Sequence, residues 1–534
     1  MKHISCLLLL FYFSTSYSSL PKFSSRYEAT GVLSLPYAEL NEPFHIWYSE
    51  EGNICRTDYY NGVDKTIIRG NETQYGTSYS ITYMNGKQKC FKVPGDDGSA
   101  YAIQSFIPDL SNFSYVGSDV KDNKEIIQYQ RIVQHKEKVN TYNFYYYVEN
   151  GINIPSKFSF LGYDIIIGSH YDQYEFKFDT FTTVFDDSVF NVADSYTCGP
   201  YPKPTKFPGE THIIHSPYND LLGLGVIDRA HGVFEEFKNF FGKSYRTLIH
   251  KLEARKWFTS NLRFIHSKNR AGLKYKLKIN HFADQSLKNI KRSLLNKAQP
   301  DFGSNSHALP FDTSKFDSTI PSTWDWRLYG AVTPVKDQAT CGSCWSFSTT
   351  GAIEGQHFLK TGMLTDFSQQ NLMDCSWDYG NYGCDGGWQW YSFQYIIDQG
   401  GLMTENEYGQ NGICHYRDSP SNVKITHYVN VTENDENALQ IAIANVGPIS
   451  VNFDVTDDFL FYSHGVFDDS KCGNKQSDLN HCILAVGYGE MEGEPYWLVK
   501  NSWSTHWGND GYFLITRNNN NCGIATSPSY PILA

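Results

Sequence analysis

The segment DQATCGSCWSF, residues 337–347, places Cys344 three positions after Cys341 and six after Gln338. It restricts what this chain can fold into more than any other stretch. A cysteine at the start of a helix is a competent nucleophile, because backbone N–H groups and the helix dipole stabilise its thiolate. The same two cysteines would also suit a structural pair, a metal site or a redox couple. The segment alone leaves all of these open, and the rest of the chain has to choose among them.

At 534 residues the chain exceeds what one hydrophobic core supports, so two to four domains are expected. A formal charge of −12 disfavours nucleic acid as a partner, since a polyanion requires a basic face. Lys2 and His3 precede an apolar run from Ile4 to Phe13, and small polar residues follow around Ser14–Ser19. This pattern predicts a signal peptide over 1–19. No later stretch is long and apolar enough to predict a membrane span. Sequons at Asn71, Asn112 and Asn430 agree with a secreted or lysosomal (acidic vesicle) protein. On that route disulfides are the default fate of cysteine.

Residues 20–205 read as an antiparallel β domain. The stretch NTYNFYYYVENGINIPSKFSFLGYD alternates aromatic and polar residues between Asn-Gly, Pro and Gly turn signals. A proline-rich segment, CGPYPKPTKFPGE, opens a linker over 206–230. From residue 231 the period becomes helical, with Phe258, Asn261, Leu262, Ile265 and Asn269 spaced along one face. The stretch 300–318 reads as an exposed, cleavable linker that ends a segment spanning 231–318. Residues 319–534 form a last domain, helical after Cys344 and strand-rich toward the end, so the fold class is α+β.

In that last domain the strand-like LNHCILAVGYG supplies His481 as a base, and YWLVKNSWSTHWGNDGYF supplies Asn501 to orient it. Cys, His and Asn in this order fit the thiol form of triad chemistry. Gln338 can add a side-chain donor to the Cys344 backbone N–H for an oxyanion. Together these motifs resemble the papain-like cysteine proteases of the cathepsin L type, from about Ile320 to the end of the chain. The resemblance implies a two-lobed fold with a helical lobe and a β-barrel lobe, and no cofactor or metal. It implies that Cys344 is the nucleophile, His481 the base and acid, Asn501 the orienter and Gln338 the oxyanion donor, with Trp503 covering the His–Asn bond. It also pairs Cys341 with Cys384, Cys375 with Cys414, and Cys472 with Cys522. By the same resemblance Gly386 and Gly387 hydrogen-bond an extended peptide, and Trp388, Gln389, Asn452 and Ser527 build a second subsite. Apolar side chains are usual at several of these subsite positions.

The helical segment resembles the inhibitory propeptide of the same family, through Phe258, Asn261, Ile265, Asn269 and the motif KINHFAD (278–284). His250, Ala254 and Lys278 depart from that pattern, where Glu, Arg and Gly are usual. The partners implied are protein or peptide substrates and the chain's own propeptide. The front domain resembles the extra domain of two-part cathepsins, through LPYAEL, IWY and RTDYYNG; its partner would be a secreted protein complex, a lipid or a peptide. Cys55 and Cys90 are candidates to pair there, leaving Cys198 over, and Cys482 reads as a buried free thiol. The function expected is a secreted or lysosomal cysteine endopeptidase made as a zymogen. The alternative is a secreted binding or signalling protein in which the protease domain is mainly scaffold, and a lipid carrier with a protease appended is a third reading.

Overall fold

A computed structural model describes residues 20–84, 87–193, 195–201, 207–222, 229–298, 308–317, 319–410, 412–517 and 519–534. The signal peptide expected over 1–19 and residues 300–307 and 318 of the cleavable linker expected over 300–318 lie outside them. The chain divides into two compact units: residues 1–80, 91–202 and 215–228, and residues 81–90, 203–214 and 229–534.

The front of the chain folds as antiparallel sheet because its strands alternate inward and outward residues at period two. The strands are β1 (Arg26–Leu35), β2 (Leu40–Ser49), β3 (Ile54–Tyr59), β4 (Asp64–Arg69), β5 (Thr77–Met84) and β6 (Lys87–Pro94). There follow β7 (Ser114–Lys121), β8 (Lys124–His135), β9 (Lys138–Glu149), β10 (Ile152–Asp164) and β11 (Ser169–Thr182). Their order in one 11-stranded sheet is β6-β5-β4-β3-β2-β1-β11-β10-β9-β8-β7, two meanders joined where the first strand meets the last. β1 alternates without a break, and every second residue from Tyr27 to Leu35 is buried.

On β9–β11, Tyr142, Phe144, Phe158, Phe160, Tyr174 and Phe176 are buried, two apart along each strand. Their rings contact one another and are covered by the chain itself. Phe23 packs edge-on to Phe144, and Tyr218 and Phe106 pack on Phe176. Tyr218 also donates to the buried Glu42 at 2.9 Å. Cys55 is a buried free thiol, while Cys90 and Cys198 are both disulfide-bonded, which corrects the expected Cys55–Cys90 pair. Cys55 instead packs with Ile68 and Tyr101 as a small apolar side chain. The sequon residues Asn71, Asn112 and Asn430 are all exposed.

The segment that reads only as linker contains two short helices, α1 (Glu210–His215) and α2 (Asn219–Leu222). In α1, Glu210 meets His266 at 2.9 Å, and both side chains are buried. His266 belongs to α4 (Leu248–Arg270), which follows α3 (Arg229–Phe241). Thr247 caps α4 by accepting from the His250 N–H. Phe234 and Phe237 of α3 close on Phe258 of α4, all three with no exposed surface. Each contributes about 2–3 kcal/mol of burial. Ala254 is buried in the same helix. From α4, Asn261 donates to the Ala283 and Gln285 carbonyls, and Lys243 and Tyr245, ahead of that helix, both reach Asp284.

The strand β12 (Tyr275–Leu277) then pairs antiparallel with the strand Tyr462–Phe467. Lys278, one of the departures from the propeptide pattern, is used in this docking: its N–H donates to Phe461 and its Nζ to the Gly508 carbonyl. A further helix, α5 (Leu287–Leu294), leads into the cleft of the last domain. Lys268, Lys291 and Lys274 pair respectively with Asp458, Asp457, and both Asp468 and Glu494.

In the last domain α6 (Cys344–Thr361) packs against the strand His481–Met491. Close approach of the two depends on small residues. A Cβ on Gly351 would lie 2.7 Å from Leu484, and one on Gly355 would lie 2.7 Å from Pro448. Disulfides join Cys341–Cys384, Cys375–Cys414 and Cys472–Cys522. Among the described residues no helix is long and apolar enough to cross a membrane.

Candidate active site

Cys344 is the first residue of α6, where unpaired backbone N–H groups face it. His481 is the first residue of its strand, and the helix–strand packing just described brings the two together. His481 donates from Nε2 to Asn501 Oδ1 at 2.8 Å. The Ser502 N–H gives a second bond to the same oxygen, also 2.8 Å, which fixes the Asn501 amide with oxygen toward the ring. The other ring nitrogen, Nδ1, is buried with no other hydrogen-bond partner and is left for the Cys344 sulfur. Trp503 lies across the ring at 4.7 Å between centroids. Cys344, His481, Asn501 and Trp503 are all buried.

Burial alone would oppose ionisation of Cys344. The Cys482 thiol and backbone N–H and the charge of His481 outweigh it, holding the Cys344 thiol well below its ordinary value. Burial and the Cys344 sulfur push Cys482 the opposite way, well above its own. The contact between the two sulfurs thus moves the two thiols in opposite directions. Sequence reading placed Cys482 as a buried free thiol, and it is one; its contact with Cys344 was missed. The available signal was its position directly after His481.

Gln338 accepts from Ser502 Oγ at 2.6 Å, which turns its Nε2 toward the start of α6. That nitrogen donates to the Cys341 carbonyl at 2.7 Å and to the Leu294 carbonyl at 2.8 Å. Leu294 ends α5, so a carbonyl of the preceding segment occupies the Gln338 donor. The next residues stay in the same cleft. The Asn296 N–H donates to the Asn480 carbonyl at 2.7 Å, and Lys297 pairs with Asp385 at 2.9 Å. The Asn296 side chain bonds the backbone of Gly387 on both sides, 2.6 Å to its carbonyl and 3.1 Å from its N–H. Gly386 has φ of +116°, and a Cβ there would strike Asn296 Oδ1. No motif in the sequence marked Asn296.

Trp388 is fully buried and stacks on Trp390 at 5.0 Å, inside the core cluster of α6. Gln389 and Asn452 are also fully buried and bond each other. Ser527 contributes its carbonyl to Gln389 and its hydroxyl to Gln476.

Residues 320–532 match the model of the papain family cysteine proteases, and residues 234–290 that of the cathepsin propeptide inhibitor domain. The chain is 42% identical over 304 residues to pro-cathepsin H of Medicago truncatula, covering 56% of this chain and 86% of that protein. It is 46% identical over 273 residues to a cathepsin L-like peptidase of Aedes aegypti, covering 49% of this chain and 79% of that protein. The chain belongs to the papain family of cysteine proteases. Among solved structures it is similar to a digestive procathepsin L2 proteinase of Tenebrio molitor larval midgut, at 35% identity and a TM-score of 0.54. That likeness covers 57% of this chain and all of the other. This papain-family enzyme is therefore a thiol protease in zymogen form, with its propeptide domain present in the same chain.

Proposed function

We propose that the protein is a secreted or lysosomal endopeptidase zymogen that hydrolyses peptide bonds through a Cys344 acyl-enzyme. The Cys344 thiolate attacks the scissile carbonyl carbon. The oxyanion that forms takes hydrogen bonds from the Cys344 N–H and Gln338 Nε2, the donor that Leu294 O now occupies. His481, as imidazolium, gives its Nδ1 proton to the departing amine. A water then attacks the thioester while His481 takes a proton from it, and the thiolate returns. Asn501 holds the ring in place throughout, and Trp503 shields the bond between them. Gly386 and Gly387 pair with the backbone of the extended substrate. Trp388, Gln389, Asn452 and Ser527 belong to the neighbouring second subsite, with Trp388 as its packed support.

One observation carries this reading: His481 is fixed by Asn501 at 2.8 Å beside a thiol held well below its ordinary value. Cleavage within 300–318 would release the enzyme from its propeptide. Exposed sequon residues and the disulfides support passage through the secretory route. The test is covalent labelling of acid-processed protein with an irreversible epoxide inhibitor directed at thiol proteases. Stoichiometric label on Cys344 with loss of peptide hydrolysis is expected. Hydrolysis that survives full labelling of Cys344 would overturn the proposal.

A further inference from the structure

Among the described residues three cysteines are free, Cys55, Cys344 and Cys482, and all are buried. Cys55 belongs to the front sheet, in the other compact unit. The remaining cysteines of the last domain are committed to the disulfides Cys341–Cys384, Cys375–Cys414 and Cys472–Cys522. Among the described residues Cys482 is thus the one free thiol beside Cys344. The hydrolytic steps give it no bond to make or break.

The pair sits in one buried cluster, where the start of α6 packs on the strand His481–Met491. The Cys344 sulfur is met by the Cys482 thiol and also by the Cys482 main-chain N–H. A disulfide requires Cα atoms within about 7 Å. Contact of one sulfur with both the thiol and the main chain of its neighbour brings two residues that close. Asn452, opposite Cys482 on the adjacent strand, holds the Cys482 sulfur from its Nδ2 at 3.1 Å. The Asn296 side chain of the cleft-bound segment touches the same sulfur, so the pair is covered in the zymogen.

We propose that Cys344 and Cys482 form a reversible oxidative modification site in the processed enzyme: a peroxide converts Cys344 to a sulfenic acid, and Cys482 closes it into a Cys344–Cys482 disulfide. In the first step the Cys344 thiolate attacks a peroxide oxygen and the O–O bond breaks. The leaving hydroxide takes the His481 imidazolium proton and becomes water. In the second the Cys482 sulfur attacks the Cys344 sulfur, the S–O bond breaks, and the hydroxyl leaves as water with the Cys482 proton. Two thiols and one peroxide thus give one disulfide and two waters. The order of the steps follows from the surroundings. Cys344, held low, is the thiol that meets peroxide first. Cys482 is held up by the Cys344 sulfur, and loses that opposition once Cys344 carries a hydroxyl, while Asn452 still favours its ionised form. The disulfide stops oxidation short of sulfinic acid, which ordinary reductants do not reverse. The inference extends the proposed peptidase, because peroxide reaches Cys344 by the path of the substrate, but its readout is a mass and does not depend on hydrolysis.

The experiment starts from full-length zymogen processed in acid, freed of reductant and treated with hydrogen peroxide. Free thiols are then blocked, and peptides are mapped without reduction. The expected product is a pair of peptides joined through Cys344 and Cys482, lighter than the unlinked pair by two hydrogens. Hydrolysis should fall as this pair accumulates and return on addition of dithiothreitol. In Cys482→Ala the same dose should carry Cys344 to sulfinic acid, with hydrolysis lost beyond recovery. Wild-type Cys344 that ends as sulfinic acid, or stays reduced, without the linked pair overturns the inference, whether or not the variant folds. A linked pair in a processed protein that never hydrolysed peptide overturns the proposed function instead and leaves this inference standing.

Discussion

Asn296 holds both backbone groups of Gly387 with one side-chain amide: Nδ2 donates to the Gly387 carbonyl at 2.6 Å, and Oδ1 accepts from the Gly387 N–H at 3.1 Å. On the proposed pairing of Gly387 with a substrate backbone, a side-chain amide fills that place in the zymogen. Asn296→Ala removes both bonds and should weaken the docked segment by about 1–3 kcal/mol. Unprocessed Asn296→Ala zymogen is therefore expected to show more peptide hydrolysis at neutral pH, and faster processing in acid, than wild type. Equal rates for the two would refute this role.

Cys482 donates to the Cys344 sulfur through both its thiol and its backbone N–H, and only the thiol can be removed by mutation. Cys482→Ala should raise the value at which Cys344 ionises, toward its ordinary range. The acid limb of the kcat/KM profile then moves to higher pH, with the alkaline limb little changed. Cys482→Ser keeps a donor and should restore much of the shift. An acid limb that does not move in Cys482→Ala contradicts the contact.

His281 lies against Phe282, with its carbonyl bonded by Lys243 and with His506 across from it. Burial, then Lys243 and His506, pushes its ring down to about 3 from the usual 6.5. The undocked segment consequently binds more protons than the docked one between those two values. Docking is weakened as pH falls through that window, by at most about 1.4 kcal/mol per unit, and is undiminished above 6.5. Processing should accelerate in acid, and His281→Phe should shift its onset to lower pH. Identical pH profiles for the two proteins would exclude His281 as the group responsible.

Gln338→Ala removes the Nε2 donor that Leu294 O occupies in the zymogen. The loss should fall on kcat, by about 10²–10³-fold, with KM little altered, because the bond matures only as the oxyanion forms. Steady-state kinetics on inhibitor-titrated enzyme separates the two constants. A loss confined to KM would make Gln338 a ground-state contact instead.

The protease domain was legible because the motifs that mark it are short local segments, Gln338 to Cys344, His481, and Asn501 to Trp503. The front sheet was legible as strands for the same reason, from the alternation of Tyr142, Phe144 and Tyr146. Its strand order was not, since the pairing of β1 with β11 joins residues about 150 apart in the chain. The linker reading missed α1, whose helix is held by the buried contact of Glu210 with His266, a tertiary effect with no local signal. Cys482 and Asn296 escaped for a related reason. Each gains its role from a partner on another element, Cys344 on α6 for the one and the Gly387 backbone for the other. The Cys55–Cys90 pair failed because cysteine counting ignores geometry, and Cys55 faces an apolar cluster of Ile68 and Tyr101.

The most direct test of the account compares full-length zymogen with its Cys344→Ala variant, each held in acid with a reducing agent. Fragment masses report cleavage, and a fluorogenic peptide reports hydrolysis. Wild type is expected to lose its propeptide by cleavage near 300–318 and to gain inhibitor-sensitive activity, while Cys344→Ala stays intact and silent. A Cys344→Ala protein that hydrolyses peptide as wild type does would contradict the central claim, as would a correctly folded, processed wild type that cleaves no peptide.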